Sequence, residues 1–222
     1  MAGWPVRTSK QRLTEPLHGY KLAHPMVSAD GTTAGFSGVT LGQSTVYGVV
    51  AEATCAQGSR HKSPSRWCDC GFYCLHALTD AQALSNDAAY RCAVLLDVAA
   101  SGRFLRYERG LRYARQRIGR VRVGRCACTR PAAVFVDSGT GSIGWRRLVA
   151  VCSACAGPRP RLPLAAFSRL LGGVPVEADE TETSFEQVED QELVPVLAAE
   201  IALLQARLDD VQRQLDRLTN RR

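Results

Sequence analysis

Eight of the nine cysteines in this 222-residue chain fall into two closely spaced groups, and these groups constrain the fold more than any other feature. The later group is Cys126-x-Cys128 followed, after 23 residues, by Cys152-x-x-Cys155. Close cysteine pairs on tight turns hold two thiolates at the spacing of a tetrahedral edge, so two such pairs complete a four-ligand Zn²⁺ site. A site with four protein ligands leaves no position for water or substrate, which predicts a structural metal.

The earlier group contains a histidine as well as cysteines, in the pattern Cys55-x5-His61-x6-Cys68-x-Cys70. The two later cysteines are followed by a glycine suited to a tight turn, and the intervening loop is short and polar. We expect these four residues to bind a second zinc ion. Cys74 is the alternative to His61 as the fourth ligand.

Other uses of the thiols remain open. Four cysteines also ligate iron–sulfur clusters, and closely spaced thiolates can release zinc on oxidation as a redox sensor. Disulfides are disfavoured, since no export signal precedes the chain and the expected compartment is the reducing cytoplasm. The ninth cysteine, Cys92, precedes an apolar run and is predicted to be an inert buried thiol. No run of about 18 apolar residues occurs, so we expect no membrane span.

The charge is distributed unevenly along the chain. Residues 1–176 hold 23 bases and 9 acids, whereas residues 177–222 hold 5 bases and 12 acids. Nine arginines lie between positions 103 and 125, where Glu108 is the only acid. Guanidinium groups bind phosphates, so this stretch predicts contact with nucleic acid or with another acidic surface. The predicted contact residues are Arg103, Arg106, Arg112, Arg115, Arg117, Arg120, Arg122 and Arg125.

Hydrophobic periodicity predicts an α+β protein: a β-rich, zinc-stabilised body followed by a C-terminal coiled-coil helix. Glycine-separated apolar runs predict a strand meander in the body. A further strand–turn–strand pattern between Cys128 and Cys152 predicts a β-hairpin. The expected organisation is a flexible basic arm (1–16), a β-rich domain with the first metal site (17–125), a second metal module (126–160), an acidic linker (172–192) and the helix (193–222).

The terminal segment has apolar residues in alternating steps of three and four, which is the pattern of a coiled coil. Such a helix would pair with a second copy in a homodimer or with a helix of another protein. The predicted interface residues include Leu197, Ile201, Leu204, Leu208, Val211, Leu215 and Leu218.

The arrangement of cysteine pair, hairpin and cysteine pair over residues 126–155 resembles a zinc ribbon, although Cys126-x-Cys128 is one residue shorter than the usual first pair. That resemblance implies a zinc-bound scaffold found in nucleic-acid machines and in protein adaptors. The rest of the chain resembles uncharacterised Cys-rich bacterial proteins of actinobacterial type, a resemblance that implies no function.

No catalytic arrangement is present in the pattern, because the four histidines are scattered and neither cysteine group has an open coordination position. The sequence therefore predicts a non-catalytic, zinc-binding, nucleic-acid-associated protein that oligomerises through its C-terminal helix. A zinc-dependent protein–protein adaptor is the main alternative, and a thiol redox sensor is a further one.

Overall fold

A computed structural model describes residues 16–39, 45–55, 58 and 61–178. Within these ranges the chain forms one eleven-stranded, mainly antiparallel sheet. The strands are β1 (Leu17–Ser28), β2 (Ala34–Gly38), β3 (Val46–Tyr47), β4 (Val50–Glu52), β5 (Phe72–Leu75), β6 (Val94–Arg106), β7 (Gly110–Val123), β8 (Val134–Ser142), β9 (Trp145–Val151), β10 (Leu162–Pro163) and β11 (Val176–Ala178). The helices are α1 (Leu78–Ser85), α2 (Ser153–Ala156) and α3 (Leu164–Leu170), with a 3-10 turn at Ala88–Tyr90.

The predicted α+β class is wrong. Strands account for about half of the structure and helices for 14%, and the longest described helix, α1, has eight residues. The α component of the prediction depended on the heptad pattern near the C-terminus. Such a pattern shows where an apolar face would lie if a helix formed, and does not establish the helix. The proposed coiled-coil residues, and the acidic linker from residue 179 onward, lie outside the described residues.

Three long strands organise the sheet. β6 and β7 form a hairpin, and β1 pairs with β6 over seven residues before it continues against β9. Glycine at position 102, with φ +77°, lies in the irregular part of β6 where the register with β7 shifts. β7 also pairs with β5 and β4 in antiparallel orientation and with β11 in parallel orientation. β1 and β7 therefore each pair with four other strands.

The main hydrophobic core draws on strands from the whole described chain. Phe135 on β8 packs against Phe167 on α3 with ring centroids 4.7 Å apart, and Phe167 also contacts Phe36 on β2 edge-to-face. These rings belong to the same buried cluster as Leu96 of β6 and Tyr113 of β7. The segment that carries the second cysteine group is therefore packed into the same core as the preceding strands. None of the described helices is long and apolar enough to cross a membrane.

Candidate metal centres

Both predicted ligand groups come together in the structure, and each can hold one metal ion. In the first cluster the ligand atoms lie within 4.8 Å of one another, and its residues are Cys55, His61, Cys68 and Cys70. The Sγ atoms of Cys55 and Cys68 are 3.6 Å apart, and Nε2 of His61 is 3.1 Å from Sγ of Cys70. A tetrahedral ion with metal–sulfur bonds of about 2.3 Å needs an S–S edge of about 3.8 Å. The donor set therefore fits a four-coordinate ion.

The first cluster is built from the end of one strand and the loop before another. Cys55 follows β4, and the remaining ligands lie on the ligand loop (residues 61–71), which leads into β5. At the end of this loop Gly71 has φ +122°, a conformation that side chains rarely adopt. A Cβ at this position would approach Cγ of Arg112 to 2.9 Å and Cβ of Pro64 to 3.1 Å. Glycine is therefore required for both the turn and the close packing.

The alternative ligand, Cys74, lies elsewhere. It is a buried residue of β5 and belongs to the main hydrophobic core, where burial raises the pKa of its thiol to about 11. A thiol held neutral by an apolar environment is a poor metal ligand. The structure instead brings His61 to the other three cysteines, so His61 is the fourth member of the first cluster.

Arg112 holds the ligand loop against the sheet. It was predicted to contact nucleic acid, but only 3% of this residue is exposed. Its Nη1 atom donates hydrogen bonds to the carbonyl oxygen of Cys68 and to Oη of Tyr73, and its Nη2 atom donates to the carbonyl oxygen of Ser65. Asp69 adds a carboxylate oxygen 3.7 Å from Nη1. The guanidinium therefore positions the backbone around the metal ligands, and the nucleic-acid prediction is wrong for this residue.

Strand parity does not distinguish Arg112 from its neighbours on β7. Successive side chains on a strand point to opposite faces. Burial alternates between Arg115 and Ile118, but Leu111, Arg112 and Tyr113 are all buried, so both faces of β7 are covered at this point. A buried arginine requires several acceptors, and the ligand loop supplies most of them.

The second cluster consists of Cys126, Cys128, Cys152 and Cys155, whose Sγ atoms also lie within 4.8 Å of one another. Sγ of Cys128 is 3.5 Å from Sγ of Cys152. Two members, Cys126 and Cys152, are buried against Val136 and Val151, while the other two are exposed. This set of four sulfur atoms fits a tetrahedral ion at the edge of the sheet.

Two tight turns present the thiols of the second cluster. After the first pair, Thr129 takes φ +68° and its N–H donates to the carbonyl oxygen of Cys126, which closes the turn. At the second pair, Cys152 is the N-cap of α2, and its Sγ accepts the N–H of Cys155 at 3.4 Å. The β8–β9 hairpin joins the two turns, so the ladder between these strands sets the separation of the cysteine pairs.

Backbone donors favour thiolates in the second cluster. The pKa of Cys152 is lowered to about 6, chiefly because the N–H of Cys155 points at its sulfur. Burial acts in the opposite direction on Cys126, but N–H groups of Cys128 and Cys152 outweigh it and lower the pKa of that thiol. A metal ligand must be deprotonated, so these donors favour the metal-binding form of Cys126 and Cys152. Hydrogen bonds with the neighbouring thiols instead raise the pKa of Cys155 to about 12.

The remaining predicted arginines occupy varied environments. Arg122 is half-buried and forms a bidentate pair with Asp97, with both N–O distances 2.8 Å. The exposed residues Arg115 and Arg120 pair with Glu52 and Glu177. Of the others, Arg103, Arg106 and Arg117 are exposed, and Arg125 donates to the carbonyl oxygen of Thr129. The stretch therefore includes structural cations as well as surface ones.

The prediction that Cys92 is a buried thiol is wrong. It lies in the turn before β6 and is exposed, because the buried strand begins two residues later at Val94. The oligomerisation residues predicted near the C-terminus lie outside the described part of the chain.

No family model, curated protein or solved structure matches this chain.

Proposed function

We propose that the protein is a non-catalytic zinc protein with one Zn²⁺ in each cluster. Two complete sets of four soft or borderline ligands support this proposal, because thiolate and imidazole in a tetrahedral arrangement suit zinc. With zinc bound, the first cluster would carry a net charge of about −1 and the second about −2. A filled four-ligand shell has no position for substrate, so the metal would stabilise the sheet. We further propose that residues 126–155 are a zinc-ribbon-like module, supported by the hairpin between two cysteine turns.

Metal analysis of the purified chain tests the zinc proposal. We expect two zinc ions per chain, falling to one in Cys152→Ser and to one in Cys68→Ser, because each variant removes a ligand from a different cluster. Cys92→Ser is the matched control, since it removes an exposed thiol outside both clusters and should retain two. A chain that carries no metal, or a coloured iron cluster, contradicts the proposal.

We propose that the exposed face of β7 contacts the phosphate backbone of nucleic acid. Arg115, Arg117 and Arg120 are exposed along this strand, and Arg103 lies on the adjoining strand β6. Glu52 and Glu177 neutralise two of these cations, so the surface is suited to a weak, sequence-independent contact.

The salt dependence of binding tests this proposal. Each neutralised phosphate contributes about 0.9 to the slope of log K against log salt on duplex DNA and about 0.7 on single strands. We expect Arg103→Gln combined with Arg117→Gln to reduce the slope by between one and two, whereas Arg161→Gln, an exposed arginine outside this face, leaves it unchanged. Absence of binding to both DNA and RNA at low salt contradicts the nucleic-acid proposal and leaves the zinc proposal intact.

A protein–protein adaptor is the second candidate, and one residue favours it. Trp67 is 96% exposed although it lies directly before the ligand residue Cys68. A large aromatic on a metal-braced loop is typical of a contact residue in a protein interface. If this function is correct, Trp67→Ala abolishes binding of a purified partner while the zinc content and nucleic-acid affinity stay the same.

A further inference from the structure

A cleft of about 790 Å³ opens on the sheet face bordered by β1, β3 and β5. Its walls are mostly aromatic and aliphatic, and Tyr73 and Leu84 are among the large apolar residues that the described surface leaves exposed. The apolar lining also includes Tyr20, Leu22, Tyr47, Phe72, Leu75, Tyr107 and Leu111. The volume and lining are those of a small-molecule site.

One amine is directed into this apolar environment. Nζ of Lys21, on β1, lies 4.4 Å from the ring centroid of Tyr47 and 4.3 Å from that of Phe72. The two rings contact each other, with centroids 5.2 Å apart. Within the described residues no carboxylate lies within 4 Å of this nitrogen. The faces of the two rings and the thiol of Cys74, whose pKa burial raises, are the groups that interact with the amine.

The other charged groups of the cleft lie around Lys21 without pairing with it. Arg109 forms an ion pair with Asp80, with Nη2 of the arginine 2.8 Å from Oδ1 of the aspartate. Glu52 and Asp69 line the cleft and interact with arginines of β7. The first cluster also borders the cleft, through Cys68 and Cys70.

We propose that this cleft binds an apolar monocarboxylic acid, with the carboxylate paired to Lys21 and the apolar body against the aromatic walls. A buried cation without a counter-ion is costly, and an anion supplied by a ligand removes that cost. The apolar body would cover surface that is otherwise exposed to water. The site adjoins the first cluster, but the proposed contacts involve none of the metal ligands and none of the arginines of the β7 face, so the inference does not depend on the function proposed above.

Matched probes isolate the contribution of the charge. Naphthoate and naphthylmethanol share the same ring system, and only the first carries a carboxylate. Fluorescence titration of the full-length chain at about pH 6.5 should show naphthoate binding about tenfold or more tightly than the alcohol, as expected for a charge-assisted hydrogen bond. Lys21→Met should remove this preference, and Lys62→Met, at an exposed lysine of the ligand loop, should retain it.

A second measurement does not depend on the folding of a variant. The chain has three lysines, Lys10, Lys21 and Lys62, so mass spectrometry can follow each one after brief acetylation. Naphthoate should slow the acetylation of Lys21 at concentrations that leave Lys62 unaffected, and naphthylmethanol should protect it less. Equal affinity for acid and alcohol in the wild-type chain overturns the proposal. So does the absence of saturable binding, or naphthoate binding without protection of Lys21.

Discussion

The Nη2 atom of Arg112 donates a 2.7 Å hydrogen bond to the carbonyl oxygen of Ser65, and this contact joins the middle of the sheet to the loop that carries the first cluster. The same guanidinium donates to the carbonyl oxygen of Cys68, a residue whose side chain belongs to the cluster. Because β7 pairs with four other strands, the position of the ligands is set by a strand that is held firmly within the sheet.

Replacing this arginine should affect stability and the first cluster together. Arg112→Met removes the guanidinium donor from the part-buried carbonyl oxygens of Ser65 and Cys68, so we expect a loss of about 3 kcal/mol in the free energy of unfolding. Loss of such an outer contact typically lowers metal affinity by about 10–100-fold. Chemical denaturation and competition with a chromophoric chelator measure the two effects.

Two further variants show whether geometry or charge is responsible. Arg112→Lys retains the cation but cannot reach both carbonyl oxygens with a planar fork, so it should recover only part of the stability. Arg117→Met removes an exposed cation from the same strand and should change the free energy of unfolding by less than about 0.5 kcal/mol. Equal effects at positions 112 and 117 contradict the assigned role.

The turn that ends the ligand loop should be intolerant of a side chain. Gly71→Ala places a Cβ 2.9 Å from Cγ of Arg112 in a backbone conformation with φ +122°. We expect a cost of about 2 kcal/mol and weaker metal binding at the first cluster, with the second cluster unchanged.

Gly48→Ala is the matched control for this turn, because an added Cβ there meets no atom within 4 Å and its φ is not in the left-handed region. Thermal unfolding should show this variant unchanged or slightly stabilised, since alanine reduces the entropy of the unfolded chain. If both alanine variants unfold at the wild-type temperature, the close packing of Gly71 is not a constraint.

The two ligand groups are the part of the site that spacing predicted well. Coordination chemistry fixes how far apart the thiolates around one ion can lie. The short spacings within Cys126-x-Cys128 and Cys152-x-x-Cys155 were therefore enough to predict that these thiols share a site. The choice of His61 over Cys74 could not be made in this way, because both lie within reach of Cys70 along the chain. The fold determines which residue is the fourth ligand, because Cys74 lies on β5 and its side chain belongs to the main hydrophobic core.

The single sheet and the role of the arginines depend on contacts that are distant in sequence. β1 pairs with both β6 and β9, and β11 pairs in parallel with β7, and no local pattern specifies these partners. The density of arginines suggested one basic surface. Pairing of the strands instead places Arg122 in an ion pair with Asp97 and directs Arg112 inward. The number of arginines in the sequence therefore overestimates the number of cations available on the surface.

The pair of Arg122 and Asp97 should couple more strongly than the exposed pair of Arg115 and Glu52. The first pair is bidentate, with side chains 25% and 28% exposed, whereas the second has one contact of 3.2 Å between side chains that are more than 60% exposed. Double-mutant cycles with alanine should give a coupling energy of about 1–2 kcal/mol for the first pair and about 0–0.5 kcal/mol for the second. A similar coupling energy in the two cycles contradicts the inference from burial and geometry.

The stability contributed by Lys21 should depend on pH. Burial lowers the pKa of this amine from 10.5 to about 7 in the folded chain. Above about pH 7 the unfolded chain therefore binds one more proton than the folded chain at this position, so the free energy of unfolding rises with pH by about 1.4 kcal/mol per unit. Below about pH 7 both states are protonated, and the full cost of the buried charge is present.

Lys21→Met removes this titration, so the difference between the variant and the wild-type chain gives the effect directly. We expect the variant's stability relative to wild type to be highest below about pH 7 and to fall by about 2 kcal/mol by about pH 9. The comparison stops there because the thiol of Cys74, whose pKa burial raises to about 11, interacts electrostatically with Lys21, so its titration at higher pH would not cancel between the two proteins. Urea denaturation of both proteins across this range measures the difference, with Lys62→Met as the exposed control. A difference that does not change between pH 7 and pH 9 shows that Lys21 keeps its ordinary pKa.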